Sequence, residues 1–96
     1  MSRDEIVKSI QAHRAQLDEL GVASLALFGS AARGETREDS DVDVLVQFEG
    51  RTTFDRYMDL KLFLEEILGR RVDLVTEAAL RDEIRARVQQ DLLRVA

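Results

Sequence analysis

Between Leu27 and Val46 the chain reads LFGSAARGETREDSDVDVLV, and its two closely spaced aspartates stand where a strand is normally apolar. Asp41 and Asp43 are separated by one valine and followed by Val44, Leu45 and Val46. Side chains alternate between the two faces of a strand, so Asp41, Asp43 and Leu45 project one way while Val42, Val44 and Val46 point to an opposite, helix-covered face. A third aspartate, Asp73, lies in RVDLVT between Val72 and Leu74, and a neighbouring strand could bring it against the first two. Clustered carboxylates raise one another's pKa unless a cation sits among them, and hard oxygen donors of this kind suit Mg²⁺ or Mn²⁺.

The residues before the aspartates offer the complementary chemistry. Gly29 lets a ligand approach the backbone closely, Ser30 supplies a hydroxyl and an N–H, and the following Ala-Ala-Arg could start a short helix whose free N–H groups favour phosphate. Arg33 adds a fixed positive charge, and Gly34 allows the chain to turn toward the second strand. Phosphate donors on one side and metal-binding carboxylates on the other make an apparatus for phosphoryl or nucleotidyl transfer by two metal ions.

The elements that must hold these residues are legible in the apolar spacing. SRDE has the Ser-x-x-Glu form of a capping box, and Ile6, Ile10, Leu17 and Leu20 then recur at helical intervals up to Gly21, which predicts one amphipathic helix. VASLALF, closed by Gly29, reads as a buried strand, and a second strand runs from about Asp41 to Phe48. From Thr53 to Leu68 a broad apolar face that includes Phe54, Tyr57, Phe63 and Leu64 marks a helix ended by Gly69. RVDLVT is the third strand. Leu80, Ile84, Val88 and Leu92 fall four apart and predict a C-terminal helix with a single apolar stripe. The expected order is αβ(α)βαβα, an α/β domain spanning 1–96, with no repeat, no linker and no proline to mark a boundary.

Composition narrows the function classes. Fourteen Lys and Arg against nineteen Asp and Glu give a net charge of −5, which disfavours direct nucleic-acid binding. Without cysteine there is neither a disulfide framework nor a thiolate zinc site, in keeping with a reducing cytoplasm. Asp4 and Glu5 stand where a secretory signal would be basic, and no apolar run approaches the roughly 18 residues of a membrane span.

Gly29-Ser30, ten residues, then Asp41-x-Asp43 resembles the signature of the DNA polymerase beta superfamily of nucleotidyltransferases. The longer string GSAARGETREDSDVDVLV is similar to its smallest members, the minimal nucleotidyltransferase (MNT) domains that act as antitoxins beside HEPN-domain toxins. The resemblance implies a small mixed sheet flanked by helices. It implies that Asp41 and Asp43 hold both metals, and that Asp73 completes the second metal site and assists deprotonation of the attacking hydroxyl. It also implies that Gly29, Ser30 and Arg33 hold the triphosphate of ATP. Two Mg²⁺ ions, or Mn²⁺, would be the cofactor, and the acceptor would be a tyrosine of a HEPN ribonuclease that receives AMP.

Plainer readings compete for some residues. Asp73 could pair with Arg70 or Arg71 at the surface, Arg33 could be solvated, Ser40 could cap a turn, and TREDSD could be a solvated loop. His13, between Ile10 and Leu17, reads as a packed residue without a chemical role. Two further function classes stand beside the protein-modifying transferase. One acts on a small molecule or an RNA end, against which the lack of an acceptor domain and the acidic balance both weigh. The other is an inactive module that silences its partner by occlusion, and for it three crowded carboxylates would be a needless burden.

Overall fold

Ser2 sets the start of the first helix: its hydroxyl accepts the Glu5 amide while the Glu5 carboxylate reaches back to the Ser2 amide, the reciprocal cap that SRDE predicts. The computed structural model describes residues 2–34, 41–80, 82–90 and 92–96. Ser40 and most of the TREDSD run lie outside the described residues. Helix α1 (Arg3–Ala12) buries Ile6 and Ile10, and α2 (Arg14–Glu19) buries Leu17. One continuous helix is expected here, and the break at His13 has a local cause. The ring Nδ1 lies 2.7 Å from the Ser9 carbonyl, the oxygen that the His13 amide would take in an unbroken helix. The amide donates instead to Ile10, three residues back, at 3.1 Å. His13 meets Phe63 edge-on with ring centroids 5.8 Å apart, so it is packed, as its spacing predicts.

Four strands form a mixed sheet in the order β3-β2-β1-β4. Strands β1 (Val22–Leu27) and β2 (Val42–Phe48) are antiparallel, β3 (Val72–Thr76) runs parallel to β2, and β4 (Leu93–Arg94) is antiparallel to β1. Helix α3 (Gly29–Arg33) joins β1 to the segment leading into β2, and α4 (Phe54–Leu68) is the crossover that parallel β2 and β3 require. Thr53 caps α4 by accepting the Arg56 amide at 3.2 Å, and Gly69, at φ +64°, closes it in the left-handed conformation.

The core lies on one face of the sheet. Val42, Val44 and Val46 of β2 are fully buried there with Leu25 and Leu27 of β1, beneath Ile6 and Ile10 of α1 and Leu60 and Leu64 of α4. Each such side chain contributes roughly 1.5–3 kcal/mol of apolar burial. Phe54 departs from the expected apolar face: it opens α4 and is 76% exposed. No helix among the described residues is long and apolar enough to cross a membrane.

The C-terminus differs from its expected form. Helix α5 covers only Asp82–Gln90, and of the four-apart stripe Val88 is buried while Leu92 lies beyond the helix and is exposed. The Ile84 side chain lies outside the described residues. The segment after α5 pairs with β1 instead: Val95 donates to Leu25 at 2.8 Å and Leu25 donates to Ala96 at 3.1 Å. An unpaired β1 edge would leave buried backbone groups without partners, and this demand outweighs one more helical turn.

Candidate active site

Gly29 and the short helix that follows it are placed by the β1–β2 ladder. The Phe28 amide donates to the Asp43 carbonyl at 3.1 Å, which extends the pairing one residue past β1 and brings Gly29 against Asp43. Gly29 has φ +62°, and a Cβ on it would stand 2.5 Å from Asp43 Oδ2. Both the backbone and the neighbouring carboxylate therefore require glycine here. Helix α3 starts at this point, with half-buried Ser30 in its single turn and exposed Arg33 near its end. Ala31 and Ala32 are buried beneath it, and Arg3 Nη1 donates to the Ala32 carbonyl at 3.2 Å, which ties α3 to α1.

The carboxylates are placed by the β2–β3 register, which sets Asp43 beside Asp73. Burial pushes the Asp43 carboxyl up from its ordinary 3.8 to about 6. The negative charges of Asp73 and Asp41 and a side-chain hydrogen bond with Asp73 push in the same direction, and the Arg33 guanidinium opposes them. Two neighbouring carboxyls thus share a hydrogen bond that only a protonated form can donate. Asp41, just ahead of β2, points to Arg71: Arg71 Nε lies 3.2 Å from Asp41 Oδ1. The backbone favours that pair, because the Val42 amide donates to the Arg71 carbonyl at 2.9 Å.

The six residues singled out from sequence therefore occupy one corner of the sheet. Asp43, Asp73 and Gly29 are packed together, with the charges of Asp41 and Arg33 acting on Asp43 and Ser30 next to Gly29. Of the two arginines that the plainer reading offers Asp73 as surface partners, Arg71 engages Asp41. That pair is open to solvent, with the Arg71 side chain 80% exposed, so it holds Asp41 weakly. Among the described residues no three acidic or histidine side chains are already arranged to hold a metal ion, and the turning of Asp41 toward Arg71 is consistent with this. The Arg71–Asp41 pair is a contact that the sequence alone does not suggest. The position of Arg71 one residue before β3, opposite the start of β2, is visible only once the parallel register is known.

The profile of the nucleotidyltransferase domain matches residues 9–95. The chain belongs to this family. Among individual relatives, the protein adenylyltransferase MntA of Thermococcus cleftensis is 40% identical over 96 residues, covering 99% of this chain and 97% of its own length. A solved structure of a candidate minimal nucleotidyltransferase superposes with a TM-score of 0.85 at 39% identity, over 97% of this chain and 95% of the other. More distant likenesses share the nucleotidyltransferase fold. One is a toxin–antitoxin crystal structure with AMP-PNP, at TM-score 0.73 and 20% identity over 100% of this chain and 73% of that one. Another is the complex of a tri-AMPylated Shewanella oneidensis HEPN toxin with its MNT antitoxin, at TM-score 0.61 and 18% identity over 90% and 71% of the two chains.

Proposed function

We propose that this nucleotidyltransferase transfers AMP from ATP to a tyrosine hydroxyl of a HEPN-family ribonuclease and so acts as the cytoplasmic antitoxin of that toxin. The observation that carries the reading is the Asp43–Asp73 pair set against Gly29, with Asp41 and Asp73 left exposed to an incoming partner. The adenylyltransferase name of the Thermococcus relative and the toxin–antitoxin complexes that share the fold support it.

The donor set fits Mg²⁺, with Mn²⁺ as the alternative: burial and the neighbouring acids disfavour the charged form of Asp43, a cation there would favour it, and Asp41 need only leave its exposed arginine to join Asp43 and Asp73. In this reading Asp41 and Asp43 hold both ions, and Asp73 completes the second site. Bound there, divalent cations would neutralise phosphate charge and lower the pKa of the attacking hydroxyl. Gly29 leaves room for the triphosphate, Ser30 offers it an N–H and a hydroxyl, and Arg33 offers a positive charge. The tyrosine oxygen attacks the α-phosphorus, pyrophosphate leaves, and Asp73 assists removal of the phenolic proton. The partner bearing the tyrosine supplies the positioning that this small sheet lacks, which is worth several kcal/mol of barrier.

Incubation with Mg-ATP and a HEPN toxin, followed by intact mass spectrometry and a ribonuclease assay, tests the proposal. Mass increments of whole AMP units on the toxin, lost with Asp41→Ala or Asp43→Ala, support it. Equal silencing by the doubly substituted protein with no mass change overturns it in favour of occlusion.

A further inference from the structure

Strand β3 carries Asp73 and lies at the end of the four-stranded order, so only one of its sides is paired within the sheet. The Val42 amide donates to the Arg71 carbonyl, and residue pairs then run from Val42 and Val72 to Val46 and Thr76. By the alternation of a parallel ladder, the peptide groups of Arg71, Asp73 and Val75 face β2, while those of Val72, Leu74 and Thr76 face outward. Two of these outward groups are taken by side chains of α4. Glu65 Oε2 accepts the Val72 amide at 3.0 Å, and the Tyr57 hydroxyl donates to the Leu74 carbonyl at 2.6 Å. Lys61 Nζ, 3.1 Å from the same Glu65 oxygen, fixes that carboxylate from the other side. The residues so held are the immediate neighbours of Asp73.

The geometry points to Tyr57 and Glu65 as positioning residues for Asp73: from two turns of α4 they pin the backbone on either side of it and so fix its carboxyl beside Asp43. The inference rests on the transferase reading for the role of Asp73, but the clamp itself does not. Tyr57 and Glu65 are eight residues apart on one helix face, and Val72 and Leu74 are two apart on the strand, so the clamp has two points and resists both sliding and rotation of β3. It also closes an exposed strand edge with charge and with hydrogen bonds, a common protection against pairing with other chains. Edge protection alone makes no demand on where Asp73 points, and this separates the two roles.

The test uses Tyr57→Phe, Glu65→Ala and Glu65→Gln, the last of which can still accept the Val72 amide. Each is made in the intact protein and in an Asp73→Asn background. Tyr57→Phe and Glu65→Ala should each lower kcat for AMP transfer roughly tenfold, in line with the sensitivity of such reactions to misplacement of under 1 Å. KM for ATP should change less than twofold, because the phosphate cradle is on α3. Glu65→Gln should recover most of the rate. In the Asp73→Asn background neither substitution should lower the remaining rate further, since groups acting through one residue are not additive. Losses that add in full in that background, or a lowered thermal midpoint with kcat unchanged, overturn the inference. Two readouts stand apart from transfer: amide hydrogen exchange at Val72 to Leu74, and calorimetric titration with Mn²⁺. Faster exchange together with weaker Mn²⁺ binding in the clamp variants supports the inference even if the wild-type protein modifies no toxin. Unchanged exchange and unchanged Mn²⁺ affinity sink it whatever the toxin assay gives.

Discussion

Asp43→Asn should make the metal-free protein more stable at neutral pH while abolishing transfer. The folded chain keeps the Asp43 proton up to about pH 6, whereas the unfolded chain releases it near 3.8. The native state therefore binds the extra proton between those values, and its stability falls as pH rises through the window and stays reduced above it. Roughly two pKa units at about 1.36 kcal/mol each set a ceiling near 3 kcal/mol. Asp43 is only half-buried, so solvent screening reduces the realistic figure to about 1 kcal/mol. Asparagine removes the charge and still offers an N–H to Asp73. In EDTA at pH 7.5 the thermal midpoint should rise by about 4–8 °C, a domain of this size moving that far per kcal/mol. By pH 4 the gain should shrink to a small fraction. Adding Mg²⁺ should stabilise the parent and leave the variant where it was, because ligand linkage requires a site. A variant less stable than the parent in EDTA at pH 7.5, or equally stabilised at pH 4, would refute the account of Asp43 as a strained carboxylate.

Gly29→Ala should lose nearly all transfer, because its Cβ would stand 2.5 Å from Asp43 Oδ2 on a backbone at φ +62°; if the variant keeps more than half the parent rate in the toxin mass assay, the close approach is irrelevant to function. Thr53→Ala removes the cap that accepts the Arg56 amide, and chemical denaturation should show a loss of about 1 kcal/mol with little change in the denaturant slope. No loss would mean that solvent satisfies the first turn of α4 equally well.

Local patterns made most of the frame legible. The SRDE cap, the Val42–Val46 alternation and the Thr53 and Gly69 boundaries each depend on residues a few positions apart, and each appears where the sequence implies. What was illegible depends on distant partners. The break at His13 follows from a ring nitrogen taking a backbone carbonyl, which helical periodicity does not register. Strand β4 exists because β1 needs a neighbour, and nothing within the C-terminal residues encodes that need. The site shows the same division. The Gly-Ser and Asp-x-Asp spacing is local and points to one corner of the sheet, whereas the Arg71–Asp41 pair and the two α4 side chains on β3 are relations between segments.

The register that gathers the acids is set by residues that have no part in the chemistry. Val42 and Val44 of β2 lie opposite Val72 and Leu74 of β3, and all four are buried at 3% exposure or less. Sliding β3 by one residue would turn Val72 and Leu74 out of the core and Asp73 into it. At roughly 1.5–3 kcal/mol for each apolar side chain, that slip would forfeit several kcal/mol before the cost of burying a carboxyl is counted. The whole perturbation of Asp43, led by burial and added to by the charges of Asp73 and Asp41, comes to about 1 kcal/mol after screening and is too small to drive it. Apolar burial thus holds Asp43 beside Asp73, and the charge of Asp73 adds to the rise in the Asp43 carboxyl's pKa that burial begins.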